Sequence, residues 1–561
     1  MQIIGIVVII VIAILLSMLL GTYIFKIYEL KKSRLEFIFK PVENFIYKLS
    51  GIDVTVNMNW KQYAVALLVF NLVMLLIAFF LLLIQSYLPY NPTGAKNMNP
   101  LLAFSTAVSF VTNTDIQHYT GEKDISFANQ LIVIIFLMFT SAGTGLASAA
   151  AVIRGIAGNG KEEGLGNFYV DLVRTIVRLL LPLSIIMTLI LVWQGVPMTF
   201  AGKIDVKTIQ GTTQSIIRGP VAVLESIKHL GTNGGGFFSA NSAHPFENPT
   251  PLTNALEILT MMLIPSSLVY TYGLKVKNKK HAWVLYTSLM LIFVLLLAGG
   301  VFAESHPGFP YDKLQINTAA GNMEGKEVRF GTEQSAMFAT VTTAFTTGSV
   351  DSMHDSYTPL GGAVPLSLMM LNTIFGGDGV GLINIITYAV LTVFITGLMV
   401  GRTPEFLGKK VETKEMKYIA LAILIHPLLI LFATAISILL PAGRASINNP
   451  GFHGITQMLY EFTSAAANNG SEFAGFIGNT SFMNIMTALV MLIGRYVSIF
   501  LLLAVAGSMA KKIPAQPTLG TFRTDSALFG LIFIAVIFIV GALTFFPALI
   551  LGPISEFLKT L

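Results

Sequence analysis

The 561-residue sequence predicts an all-α polytopic membrane protein with ten transmembrane helices. Eight of them form four membrane–pore–membrane repeats around a pseudo-fourfold axis, and one extra helix lies at each end. Three observations predict this fold. Hydrophobic residues make up 54% of the chain and charged residues only 11%, against about a quarter charged in soluble domains. The connections between apolar runs alternate short and long, and basic residues crowd the short ones. A polar turn recurs at near-constant spacing in the four long ones.

A helix needs about 20 mostly apolar residues to cross a bilayer. Runs that meet this rule lie at 3–25, 63–84, 131–153, 172–193, 255–274, 282–302, 382–401, 416–440, 485–510 and 527–551. The first run lacks a basic leader and is longer than a signal-peptide core, so it is read as a retained span. Twenty-three of the 35 lysines and arginines flank the short connections, among them Lys31, Lys32, Arg34, Arg154, Lys161, Lys277, Lys409 and Lys511. Basic residues beside spans favour the cytoplasmic face. The N-terminus and the long connections are therefore expected outside. The basic stretch KIYELKKSRLEFIFK abuts the first span, so topology accounts for it; lipid is the expected contact, with no nucleic-acid partner. The absence of cysteine excludes disulfides, thiolate chemistry and Cys-based metal sites.

Each long connection carries a short amphipathic run that ends in a polar turn: STAVSFVTNTDIQ, LESIKHLGTNGGGFF, FATVTTAFTTGSV and YEFTSAAANNGSEF. Aligned by residue type, the turn cores are Thr112-Asn113-Thr114, Thr232-Asn233-Gly234, Thr346-Thr347-Gly348 and Asn468-Asn469-Gly470. Their spacings of 120, 114 and 122 residues mark an internal duplication. The short helices are expected to start near Asn99-Pro100, Gly219-Pro220, Gly331 and His453-Gly454, and to run ~10–14 residues, too short to cross. Repeats are placed at 62–154, 170–281, 282–410 and 415–512, with the extra helices in 1–61 and 524–561. Irregular backbone at membrane depth survives only when buried in protein or lining a wet cavity. Four such turns around one axis would converge on a pore, where carbonyls replace the water shell of a cation. Glycine in three of the four turns permits the backbone rotation this requires.

The third repeat departs from the others. The 35 residues from Leu366 to Val400 are too many for one straight span, and FGGDGVG interrupts them. Glycine breaks helices, and a broken helix in a transporter marks an ion path. Gly376, Gly377, Asp378, Gly379 and Gly381 are accordingly expected below the turns, obstructing free flow. Arg402 ends that segment and reads either as a barrier to cations or as a cytoplasmic anchor. Arg495 lies inside the ninth span, where a charge needs a partner or a wet cavity. Asp115 and Glu472 read either as attractors of cations or as solvated caps.

The stretches TNTDIQ, GTNGGGFFSANSAHPFENPTPLTN, FTTGSV, GGDGVGLIN, GRTPEFLGKK and ANNGSEFAG together resemble the potassium-binding subunit family of the bacterial Kdp pump, over essentially the whole chain. The resemblance implies a potassium filter built from Thr112, Asn113, Thr114, Thr232, Asn233, Gly234, Thr346, Thr347, Gly348, Asn468, Asn469 and Gly470, with Gln117 beside it. It implies partners too: a P-type ATPase catalytic subunit and two small accessory membrane subunits, with potassium leaving through an intersubunit tunnel. No ATP site is expected in this chain. It lacks DKTGT, and its nearest P-loop match, GIAGNGKE, places Glu162 where Ser or Thr must hold magnesium. The alternative within the same superfamily is an autonomous potassium transporter or channel. A membrane enzyme using Asp351, His354 and Asp355 as a metal cluster is the reading from another class; solvated loop polarity accounts better for their loose spacing.

Overall fold

The computed structural model describes residues 2–29, 36–160, 164–308, 315–515 and 522–560; Lys31, Lys32, Arg34, Lys161 and Glu162 lie outside them. Among the described residues, ten helices are long and apolar enough to cross a membrane. They are Ile3–Tyr28, Trp60–Leu83, Phe127–Ala157, Phe168–Trp193, Pro251–Lys275, Lys279–Ser305, Val380–Met399, Thr413–Leu439, Ser481–Ala510 and Ala527–Thr560. Each overlaps its predicted run. Large apolar side chains such as Leu19, Phe80, Leu189 and Leu543 stay exposed on the outer helices. Water would penalise that surface; hydrocarbon does not.

The third and fifth spans are the most enclosed, with 78% and 72% of their apolar windows buried. Small residues let backbones approach there, as is usual between membrane helices. A β-carbon on Gly155 would sit 2.5 Å from Ala506 O in the ninth span. The extra helices use the same device. Gly21 of the first span faces Ser267 O of the fifth at 2.7 Å from an ideal β-carbon, and Thr271 Oγ1 donates to Gly21 O at 2.9 Å. Gly530 of the tenth span meets Ser288 of the sixth.

Four shorter helices, Pro100–Val111, Val221–Leu230, Gly331–Ala344 and Phe452–Ala467, precede the four polar turns and are largely buried. The first starts as its sequence dictates: Asn99 Oδ1 accepts from Leu101 N at 3.0 Å, and Pro100 needs no partner for a missing N–H. At the opposite end, basic residues satisfy helix C-termini, which attract cations. Lys409 Nζ donates to Ile156 O and Met509 O at 2.8 and 2.7 Å, joining the third and ninth spans. The predicted break in the third repeat is present: helix Pro359–Leu371 stops at Asn372 (φ +43°), and the chain resumes as helix at Val380.

Two small antiparallel pairs depart from the all-helical expectation. Lys203–Lys207 pairs with Thr213–Ile217, and Glu405–Phe406 with Lys409–Lys410. The first pair is mostly exposed; KIDVK alternates polar and apolar residues over five positions, the signal that was available, whereas its partner TQSII does not alternate.

Candidate cation-binding site

The four turns share one backbone pattern. Their first residue is left-handed: Asn113 at φ +60°, Thr232 at +44°, Thr346 at +49° and Asn468 at +54°. So is the residue two further on: Asp115 at +60°, Gly234 at +97°, Gly348 at +90° and Gly470 at +106°. Between them, the N–H groups of Thr114, Asn233, Thr347 and Asn469 donate to the carbonyls of Ser109, Lys228, Thr342 and Ser464 at 2.8–2.9 Å. The equivalent triplet in the first repeat is therefore Asn113-Thr114-Asp115, one residue later than the alignment by residue type. The shared Thr-Asn letters of the first two repeats mislead. Thr112 closes its helix through Val108 O at 2.9 Å, as Gly231 does through Ile227 O at 2.7 Å.

The turns close a circle. Asn113 Nδ2 donates to Thr232 O at 2.7 Å, joining repeats 1 and 2. A β-carbon on Gly234 would overlap Thr347 O and lie 3.1 Å from Asn469 O; one on Gly348 would overlap Asn469 O; one on Gly470 would overlap Thr114 O. Asn468 Nδ2 donates to Thr114 Oγ1 at 2.8 Å, and Asn469 Nδ2 to Thr342 O at 2.9 Å. The twelve residues named from the sequence are thus gathered in one buried place. At three of the four junctions the absence of a side chain is what lets neighbouring backbones touch.

Toward the long connections the ring opens into a cavity of about 550 Å³ lined by Asp115, Gln117, Gly348, Gly470 and Glu472 among others. Gln117 spans two repeats: its Oε1 accepts from Gly236 N at 2.9 Å, its Nε2 donates to Gly236 O at 3.0 Å, and its own N–H donates to Glu472 Oε2 at 3.1 Å. Neither acidic residue beside the turns is a solvated cap. Asp115 is buried, and Glu472 pairs with His118. His118 Nε2 lies 3.2 Å from both Glu461 and Glu472, and Nδ1 lies 2.8 Å from Asn484 Oδ1. Burial alone would lower the His118 pKa, but the two carboxylates outweigh burial and hold it well above its ordinary value.

Away from that cavity the glycine loop presses against the ring. Gly376 N donates to Ala344 O at 2.9 Å, and Asp378 N to Thr232 Oγ1 at 2.8 Å. A β-carbon on Gly377 would lie 3.3 Å from both Thr232 Oγ1 and Thr346 O. One on Gly379 (φ +82°) would overlap Gly145 O of the third span, and one on Gly381 would overlap Phe375 O. Arg495 reaches the same place: Nη2 donates to Ser141 O at 3.2 Å and would sit 2.9 Å from a β-carbon on Gly145. Arg402 does not join this group. It is exposed beyond the seventh span, in a groove shared with Glu405 and Arg523.

Residues 7–558 match the model of the KdpA family, the potassium-transporting ATPase A subunit. The chain belongs to this family. Within the KdpA family it is similar to the potassium-transporting ATPase potassium-binding subunit of Caldanaerobacter subterraneus subsp. tengcongensis, at 68% identity over 98% of each chain. The counterpart from Geobacillus kaustophilus is 55% identical over 97% of each chain. Among solved structures, the crystal structure of the potassium transporter TrkH from Vibrio parahaemolyticus superposes with a TM-score of 0.52, covering 90% of this chain and 98% of that one. At 14% identity it supports the fold alone.

Sequence reasoning passed over a charged network behind the ring of this KdpA chain. Lys228, fully buried in the second short helix, lies 2.6 Å from Glu225 Oε2 and 2.9 Å from Glu247 Oε2, and donates to Asn241 Oδ1 at 2.9 Å. Asn241 Oδ1 also accepts from Ser349 Oγ at 3.2 Å, beside the third turn. A lysine on a helix at membrane depth was the available signal. The Asp351, His354 and Asp355 cluster, by contrast, is scattered. Asp351 accepts from Ser352 Oγ at 3.0 Å, His354 Nδ1 lies 2.7 Å from Tyr460 Oη, and Asp355 Oδ1 lies 2.8 Å from His453 Nε2. Asp351 and His354 are buried, so solvated loop polarity does not describe them either.

Proposed function

We propose that the ring of four turns is the potassium filter of this family member, taking up extracellular potassium and delivering it to the ATPase subunit. The chain is the potassium-binding subunit of an ATP-driven potassium pump, a multi-pass membrane protein. ATP hydrolysis then belongs to the partner, and two small accessory subunits complete the assembly. Repeats at 62–154, 170–281, 282–410 and 415–512, with the N-terminus outside in a cytoplasmic membrane, are part of this reading. So is a route to the ATPase subunit that the glycine loop shapes by obstructing the direct path inward.

The closure of four left-handed turns into one buried ring carries the proposal. Alternating left-handed residues let successive carbonyls turn toward one centre, where they can replace the hydration shell of a cation. The short helices end at the ring, and their C-terminal partial charges favour a cation there. Gly470→Ser tests it, because any β-carbon at 470 overlaps Thr114 O. Cells that depend on this pump at micromolar potassium are expected to lose growth, with the half-saturating potassium concentration raised at least about tenfold. Unchanged high-affinity uptake in Gly470→Ser and Gly234→Asp refutes the assignment. Uptake by this chain without ATP and without a co-expressed ATPase subunit would favour an autonomous transporter instead.

A further inference from the structure

Three of the four equivalent ring positions hold glycine, and each leaves no room for a side chain; the fourth holds Asp115. Its backbone is left-handed at φ +60°, a conformation that glycine and asparagine adopt readily. Backbone geometry therefore does not call for a carboxylate. The residue is fully buried, and neither carboxylate oxygen has a hydrogen-bond donor. The polar groups around it are engaged elsewhere: the Gln117 amide with Gly236, Glu472 with His118, Arg495 Nη2 with Ser141 O. Buried polar atoms without a partner demand an explanation. A buried carboxylate stays charged only when an opposite charge completes it. Asp115 lies at the seam between repeats 1 and 2, its Cβ 3.4 Å from the ideal β-carbon position of Gly235, and it lines the outer cavity.

We infer that Asp115 is a charged ligand for potassium at the outer end of the ring, so that one seam carries a negative charge and the three glycine seams carry none. The inference rests on the filter reading above. It makes the site unlike a ring of neutral carbonyls in one measurable respect. Coulombic attraction scales with the product of the charges. A divalent ion of potassium's size, such as barium, therefore gains about twice the free energy from Asp115 that potassium gains.

The test uses the intact chain purified in its complex, with radioactive rubidium as tracer and potassium or barium as competitor. Asp115→Gly and Asp115→Asn both suit the left-handed backbone, and both remove the charge. In each variant, potassium affinity is expected to fall about tenfold and barium affinity about a hundredfold. Potassium affinity within about twofold of the parent overturns the inference. So does an equal loss for both ions, which is the signature of a purely structural role. Failure of the filter reading looks different: the parent chain binds no rubidium, or Gly470→Ser binds it as the parent does, and either result overturns both.

Discussion

Lys228 and Asp115 illustrate two fates of a buried charge beside the ring. Lys228 has protein carboxylates at 2.6 and 2.9 Å; the Asp115 carboxylate has no protein donor. Removing one member of a buried ion pair strands the other, at ~3–5 kcal/mol. Lys228→Met keeps the bulk and strands Glu225 and Glu247. It is expected to lower the thermal unfolding temperature in detergent and to weaken potassium binding with it, because Asn241 then loses a donor while bracing Gly235 and Val350. Adding Glu247→Gln should restore part of the stability. At this scale the sequence was half legible. Glycines 234, 348 and 470 were readable, because only a few residue types tolerate a left-handed turn. The register of the first repeat was not, since Thr-Asn occurs in two repeats at different structural positions. Nor was the second partner of Lys228, because Glu247, unlike Glu225 on the same helix, comes from the loop that follows the turn.

Among elements, the glycine loop makes the sharpest contrast between neighbouring residues. A β-carbon on Gly377 would make tight contacts at 3.3 Å, where one on Gly379 would overlap Gly145 O. Gly377→Ala is expected to fold and to alter passive potassium flux through proteoliposomes without ATP, because the added methyl pushes on Thr232 and Thr346. Gly379→Ala should instead reduce the yield of folded protein, since its β-carbon meets Gly145 O and its φ of +82° is unfavourable for alanine. Equal flux in parent and Gly377→Ala would remove the loop from the ion's path. The break itself was legible from four glycines in seven positions. The loop's contact with Gly145 was not, because it joins residues more than two hundred positions apart. The exposed strand pair in the second long connection was missed although KIDVK alternates, because its partner strand TQSII carries no such period.

Taken whole, the molecule was legible where length and hydropathy decide, which is why all ten spans were found in order. The packing of the end helices was not, since it depends on single glycines such as Gly21 and Gly530. One tie holds the C-terminal helix to the fourth short helix: His453 lies 2.8 Å from Asp355 and 2.9 Å from Glu556. Burial opposes its protonation, but the two carboxylates prevail and hold its pKa at about 9, against 6.5 ordinarily. A pKa raised on folding stabilises the folded state fully below about pH 6.5, and that contribution fades as pH rises through about 9. The thermal unfolding temperature is therefore expected to drop across this window in the parent and to change less in His453→Gln. Parallel profiles for the two would deny the tie any energetic weight.

The seam at Asp115 has a consequence for how such a pore can change over generations. In a tetramer of identical chains, one codon change is copied four times around the axis, and four carboxylates there would repel one another. Tandem duplication on a single polypeptide frees each quarter to mutate alone. An off-centre charge is then available to a monomeric filter and closed to a homotetrameric one.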